Sequence, residues 1–92
     1  MQGQGEKVTL EKLIITDGDN VEIWELKVDT WEADIVGYYP SSPSANDKHC
    51  HVKKTGEEDV KNTLEYQLSF GWEVKEYDGE ALQSVIDEYK GE

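Results

Sequence analysis

Apolar residues recur at nearly every second position in the first half of this 92-residue chain and at every third or fourth position in the second half. A period of two sends side chains alternately to the two faces of a strand, and a period near 3.6 gathers them on one face of a helix. Val8, Leu10, Leu13, Ile14 and Ile15 precede Asp17-Gly18-Asp19-Asn20, residues that accept positive φ and favour a tight reversal. This predicts a hairpin with Val21 to Val28 as its second arm. The apolar phase slips between Ile23 and Trp24, which predicts a β-bulge or a strand buried on both faces and makes Trp24 a candidate exposed aromatic. After a turn at Asp29-Thr30, Trp31, Ala33 and Ile35 alternate with Glu32, Asp34 and Val36 as a half-buried strand leading to Gly37-Tyr38-Tyr39. Both prolines fall in Pro40 to Lys48, the longest predicted loop, and His49 to Lys54 reads as a short fourth strand.

The second half changes period. Thr55-Gly56-Glu57-Glu58 has the spacing of a capping box and predicts a helix start. Val60, Leu64 and Leu68 then recur every four residues, Tyr66 and Phe70 widen the apolar arc, and Gly71 is placed to end the helix in the left-handed conformation. Trp72, Val74 and Tyr77 suggest one more strand. Asp78 is the expected cap of a last helix that carries Leu82, Val85, Ile86 and Tyr89 on one face and stops at Gly91. The sum is an α+β fold, a small antiparallel sheet of three to five strands with two helices packed on one face, in the order β-β-β-(β)-α-β-α. Its core is expected from Trp31, Ile35, Leu64, Leu68, Trp72, Val85 and Ile86. Residues 1–6, polar and glycine-rich, are expected to be disordered, and 7–92 to form a single acidic domain.

Composition narrows the function. The hydrophobic fraction is only 36%, yet three Trp and five Tyr supply large burial units that an acidic disordered tail lacks. With 21 Asp and Glu against 9 Lys and Arg the formal charge is -12, which repels DNA, RNA and anionic lipid. That repulsion reaches over a Debye length of about 8 to 10 Å. Direct nucleic-acid binding is therefore not expected. No apolar run approaches the roughly 18 residues of a membrane span, and the first ten residues lack the features of a secretory signal. A cytoplasmic protein is expected, and the single Cys50 permits no intrachain disulfide.

Catalytic chemistry is poorly supplied. Cys50 lies between His49 and His51, but neighbours on an extended chain point to opposite faces, so neither imidazole is placed to activate the thiol. No glycine spacing cradles a phosphate, and the expectation is a protein that is no enzyme and needs no cofactor. The sharpest local signal is Asp47-Lys48-His49-Cys50-His51, whose alternate residues share one strand face about 6.6 Å apart and so could offer Asp47, His49 and His51 to one Zn²⁺. With two His and one Cys a four-ligand structural zinc site is not available, and an exposed polar segment is the plainer reading.

The acidic charge is unevenly distributed. Residues 17–36 carry a net -6 and residues 73–92 a net -5, while 37–72 carry only -1. Glu32 and Asp34 lie opposite Ala33 and Ile35, so their carboxylates are expected on one surface about 6.6 Å apart, or about two phosphate steps along one strand of B-DNA. A sheet bearing such a row competes with nucleic acid for a basic groove. In size and acidity the chain resembles small phage-encoded inhibitors of restriction enzymes, CRISPR effectors and DNA-repair enzymes, a resemblance of composition that covers no motif. The expected function is a non-enzymatic inhibitor that blocks the basic nucleic-acid-binding surface of a partner, as an acidic mimic of nucleic acid. The alternatives are a generic regulatory or interaction module with a solvated acidic surface, and a metal-binding domain. The expected partner-binding residues are Asp17, Asp19, Glu22, Glu25, Asp29, Glu32 and Asp34, with Tyr38 and Tyr39 as aromatic anchors. On the plainer reading of the histidine segment, chelator leaves the unfolding temperature of the purified protein unchanged. A loss of stability that Zn²⁺ restores, and that a His49→Ala, His51→Ala double variant abolishes, identifies a metal site instead.

Overall fold

Short, polar reversals between the first three strands force each to lie beside its predecessor, and this sets the architecture. The computed structural model describes residues 9–40 and 49–90. Its elements are β1 (Leu10–Thr16), β2 (Val21–Lys27), β3 (Glu32–Tyr38), β4 (His49–Thr55), α1 (Glu57–Ser69), β5 (Glu73–Asp78) and α2 (Gln83–Tyr89). The α+β fold is as expected, with all five strands in one antiparallel sheet of order β4-β3-β2-β1-β5. Strands β1 to β4 form a meander, and α1 then returns the chain across the sheet so that β5 pairs with β1 at the far edge. The β1–β2 turn is built around the Asp17 carboxylate, which accepts hydrogen bonds from the amides of Asp19 and Asn20 and from the Asn20 side chain at 2.8 to 3.1 Å. These donors hold the Asp17 carboxyl below its ordinary range.

Inward-facing residues align in rows across the strands. Leu13, Trp24 and Ile35 lie opposite one another on β1, β2 and β3, and Ile15, Leu26 and Ala33 occupy the flanking rows. Val60 and Leu64 of α1, with Leu82, Val85 and Ile86 at α2, close over this face and complete the core. Trp24 is fully buried at 0% exposure, so it is the centre of the core and not the exposed aromatic that its phase slip suggests. The slip has neither of its two predicted causes: β2 pairs without a bulge, and its outer face is not buried, since Ile23 is only half-buried beside the exposed Glu25 and Lys27 while Trp24 is buried on the inner face. Of the expected core, Ile35, Leu64, Val85 and Ile86 are buried, and Trp31, Leu68 and Trp72 pack against the rim.

Three local expectations differ. Thr55 ends β4 instead of capping α1; Gly56 holds the N-cap position and makes no side-chain cap, and the helix dipole is met by Glu57, Glu58 and Asp59 in the first turn. Asp78 likewise ends β5, and Leu82 occupies the cap position of α2. Tyr66 and Phe70 are 61% and 62% exposed, because they stand two residues from Leu64 and Leu68 and so fall on another face of α1. The predicted stop at Gly71 is present as a Schellman motif: its φ is 98°, its amide donates to the Leu68 carbonyl, and the Trp72 amide donates to that of Gln67. The predicted disordered start, the stop at Gly91 and nearly all of the long loop lie outside the described residues. Among the described residues no helix is long and apolar enough to cross a membrane.

A buried acid ties the late elements to the first strand. Glu11, on the inner face of β1 and 8% exposed, accepts hydrogen bonds from the Tyr77 hydroxyl at 2.7 Å and the Ala81 amide at 3.0 Å. The Leu82 amide donates in turn to the Tyr77 oxygen at 2.7 Å, so one phenol serves a carboxylate and the entry to α2 together. Replacing Tyr77 by Phe leaves the Leu82 amide without this acceptor, and a loss of about 1 to 3 kcal/mol in urea unfolding is expected. Tyr66→Phe, on the exposed face of α1, is the control and should change stability little; equal stability of both variants contradicts the role of the phenol.

Candidate protein-docking face

Val74 and Tyr77 both turn inward from β5 although they stand three residues apart, which simple alternation forbids. The register explains it. Glu73 lies opposite Thr16 and Val74 opposite Ile15, whereas Glu76, Tyr77 and Asp78 lie opposite Ile14, Leu13 and Lys12, so Lys75 is an extra residue where the register shifts. The bulge restores the phase, and Glu73, Glu76 and Asp78 come to stand against successive outer-face positions of β1. Three carboxylates therefore form one row on the free edge of the sheet, about 6.6 Å apart along the strand. Among the described residues no Lys or His nitrogen comes within ion-pair distance of any of the three.

The opposite edge has the other sign. Strand β4 carries Lys53 and Lys54 and no acid, while β5 carries three acids and one lysine. Between the edges the outer face is open to solvent and crossed by a half-buried apolar row, Ile14, Ile23 and Val36, which are register neighbours on β1, β2 and β3.

The residues expected at a docking surface are divided by the fold. Glu25, Glu32, Asp34 and Tyr38 do share the outer face, and Tyr38 is 44% exposed. The row of Glu32 and Asp34 is not bare, however. Lys27 lies 3.9 Å from Glu32, and Asp34 has His51 at 3.5 Å and Lys53 at 3.9 Å. Asp17, Asp19 and Asp29 lie in the two turns at opposite ends of β2 and are exposed, with the Asp17 carboxylate engaged by its own turn.

Glu22 is absent from that surface. It points inward, is 6% exposed, and accepts hydrogen bonds from the Trp24 indole at 3.1 Å and the Tyr39 hydroxyl at 2.7 Å. Tyr39 thus anchors the chain leaving β3 and does not project outward beside Tyr38. Gly37 makes this possible, since a Cβ there would overlap the hydroxyl end of the Tyr39 ring. Of the histidine segment, Asp47 lies outside the described residues, the His49 position is opposite Tyr38, and His51 faces Asp34. Among the described residues no three His, Cys, Asp or Glu side chains converge as metal ligands.

The β5 row was missed in the sequence because Glu73, Glu76 and Asp78 do not alternate. The signal was present in the offset of Val74 from Tyr77, which a strand accommodates only with a bulge. The two buried acids carried no comparable signal, since their tyrosine partners lie 17 and 66 residues away.

Both latching phenols are held protonated. Burial, followed by the hydrogen bond to Glu22, raises Tyr39 well above the ordinary tyrosine value, and burial with the adjoining Glu11 raises Tyr77. Above about pH 10, where an unfolded tyrosine ionises, the folded protein retains protons that the unfolded chain releases, so stability falls as pH rises. The urea midpoint is expected to drop between pH 9 and pH 11 (about the tyrosine range), with part of the tyrosinate absorbance appearing only on unfolding. A flat midpoint, with all five tyrosines ionising together in the folded state, rules out the latches. The chain matches no known protein-family model, no curated protein and no solved structure at a significant level.

Proposed function

We propose that this is a non-enzymatic binding domain that docks, through the carboxylate row of β5, on a lysine- and arginine-rich protein surface of the kind that otherwise holds a nucleic acid. The observation that carries the reading is the bulge-aligned row of Glu73, Glu76 and Asp78, none of which lies within ion-pair distance of a Lys or His nitrogen among the described residues, although Lys12 is the register neighbour of Asp78. A row fixed on a paired strand keeps its spacing when it meets a partner, so little ordering entropy opposes docking. The overall charge of -12 adds long-range steering toward a basic surface. The central row of Glu32 and Asp34 is the weaker contact because Lys27, Lys53 and His51 already stand against it.

A generic interaction module is the second reading, and the apolar row of Ile14, Ile23 and Val36 with the exposed Tyr38 on the same face favours it. The two readings differ in what displaces the partner. A mimic is displaced by excess DNA or RNA, whereas a module binds its partner while the partner holds nucleic acid.

Capture of a basic nucleic-acid-binding partner on immobilised protein tests the proposal. The triple variant Glu73→Lys, Glu76→Lys, Asp78→Lys is expected to weaken capture at least about tenfold and to flatten its dependence on salt. Glu32→Lys with Asp34→Lys is expected to weaken it less. Capture that ignores salt, or that depends on Glu32 and Asp34 more than on the β5 row, overturns the assignment of the site.

A further inference from the structure

Where the end of α1, the start of β5 and the end of α2 meet, Leu68, Trp72, Val74, Ile86 and Tyr89 line a cleft of about 280 Å³. That volume lies below the range of about 300 to 1,000 Å³ usual for drug-sized ligands and suits a single inserted side chain. The Schellman turn builds one wall, because the reversal at Gly71 brings Trp72 back against Leu68, and its half-buried indole packs on the core rim.

Two independent features lie beside the cleft. Tyr89, 41% exposed, also borders a shallow hollow that contains Tyr66 and Glu65, and Tyr66 meets Phe70 edge-to-face at 4.7 Å between ring centres. Exposed apolar side chains that form a contiguous patch mark interaction sites where scattered ones do not, and Tyr and Trp are the commonest anchors in interfaces. The second feature is charge. Glu73 stands on the cleft wall and is also the first member of the β5 row, so cleft and row are continuous; among the described residues Lys90 is the one cation lining the cleft.

We propose that this cleft receives one large apolar side chain of a lysine- or arginine-rich protein segment, seating it between α1 and α2 while the neighbouring cations of the segment reach Glu73 and the rest of the β5 row. The inference rests on the reading of that row as a docking site for basic protein. It adds the source of affinity, since desolvating an apolar anchor slows dissociation whereas exposed carboxylates chiefly hasten encounter. It also commits the partner to a protein, because a polymer of phosphates offers nothing to an acidic rim and a bare basic groove offers no apolar anchor.

The test uses the full chain and three synthetic peptides, acetyl-Lys-Lys-Leu-Lys-Lys-amide, the same peptide with Ser in place of Leu, and acetyl-Glu-Glu-Leu-Glu-Glu-amide, each titrated by two-dimensional amide NMR. The Leu peptide is expected to bind about tenfold tighter than the Ser peptide, the effect of burying most of one leucine side chain. Its shifts are expected at Leu68, Trp72, Ile86 and Tyr89 as well as along β5. Lys90→Glu, on the exposed end of α2, is expected to tighten the Leu peptide several-fold. The comparison of peptides needs no variant, so folding is not at issue. Equal binding of the Leu and Ser peptides with shifts confined to β5 overturns the cleft and leaves the acidic row standing. Failure of both lysine peptides to shift β5 at all overturns the row as well. Binding of the glutamate peptide as tightly as the lysine one, or Leu-dependent shifts over Ile14, Ile23 and Val36 instead of the cleft, also overturns the proposal.

Discussion

The structure depends on one row of side chains, Leu13, Trp24 and Ile35, that crosses the three central strands on a single face. A 92-residue chain builds only one modest core, and this row decides where it lies. Because α1 and α2 both close over that face, the opposite one keeps only a half-buried apolar band and a field of charges. The indole at the centre of the row is the largest fully buried side chain among the described residues, and its ring nitrogen donates to Glu22. Burial of the tryptophan and burial of the acid are thus one arrangement: each removes a cost that the other would otherwise face.

Glu22 and Glu11 occupy the two rows that flank the central one, each on the inner face and each bound by a tyrosine. Neither has a cation against it among the described residues; both are satisfied by neutral donors. The Tyr39 latch fixes where the chain leaves β3, and the Tyr77 latch fixes where it enters α2. Two acids are thus withdrawn from the surface and two more, Glu32 and Asp34, have Lys27, Lys53 and His51 against them, while the three carboxylates of β5 lie beyond ion-pair distance of any cation among the described residues. Charge is therefore polarised across the strands, from the lysines of β4 to the carboxylates of β5.

The order of elements was legible because spacing alone reports which residues share a face. The Asp17 to Asn20 turn and the Gly71 stop were legible too, since both rest on contacts within a few residues. What could not be read depended on partners distant in sequence. Trp24 looks misplaced until Leu13 and Ile35 flank it. Glu11 and Glu22 look like solvated acids until Tyr77 and Tyr39 are brought to them. Thr55 and Asp78 have the chemistry of helix caps, but pairing with Glu32 and Lys12 extends β4 and β5 through them. Of the candidate site, the acidity and the outward face of Glu32 and Asp34 were visible in the sequence; the cations set against them come from other strands and were not.

The long return from β4 to β5 gives the acidic edge a particular place in folding. Within the meander each strand pairs with one that is adjacent in the chain, but β5 pairs only with β1, between residues 57 to 66 positions apart. Such a pairing closes the largest loop in the sheet and has the greatest chain entropy to overcome, so it is disfavoured until the meander and α1 already hold the ends together. The carboxylate row and the cleft beside α2 are consequently late features, absent from any partly folded chain that has formed only its local contacts. Recognition through that edge would select completed molecules over incomplete ones without any separate checkpoint.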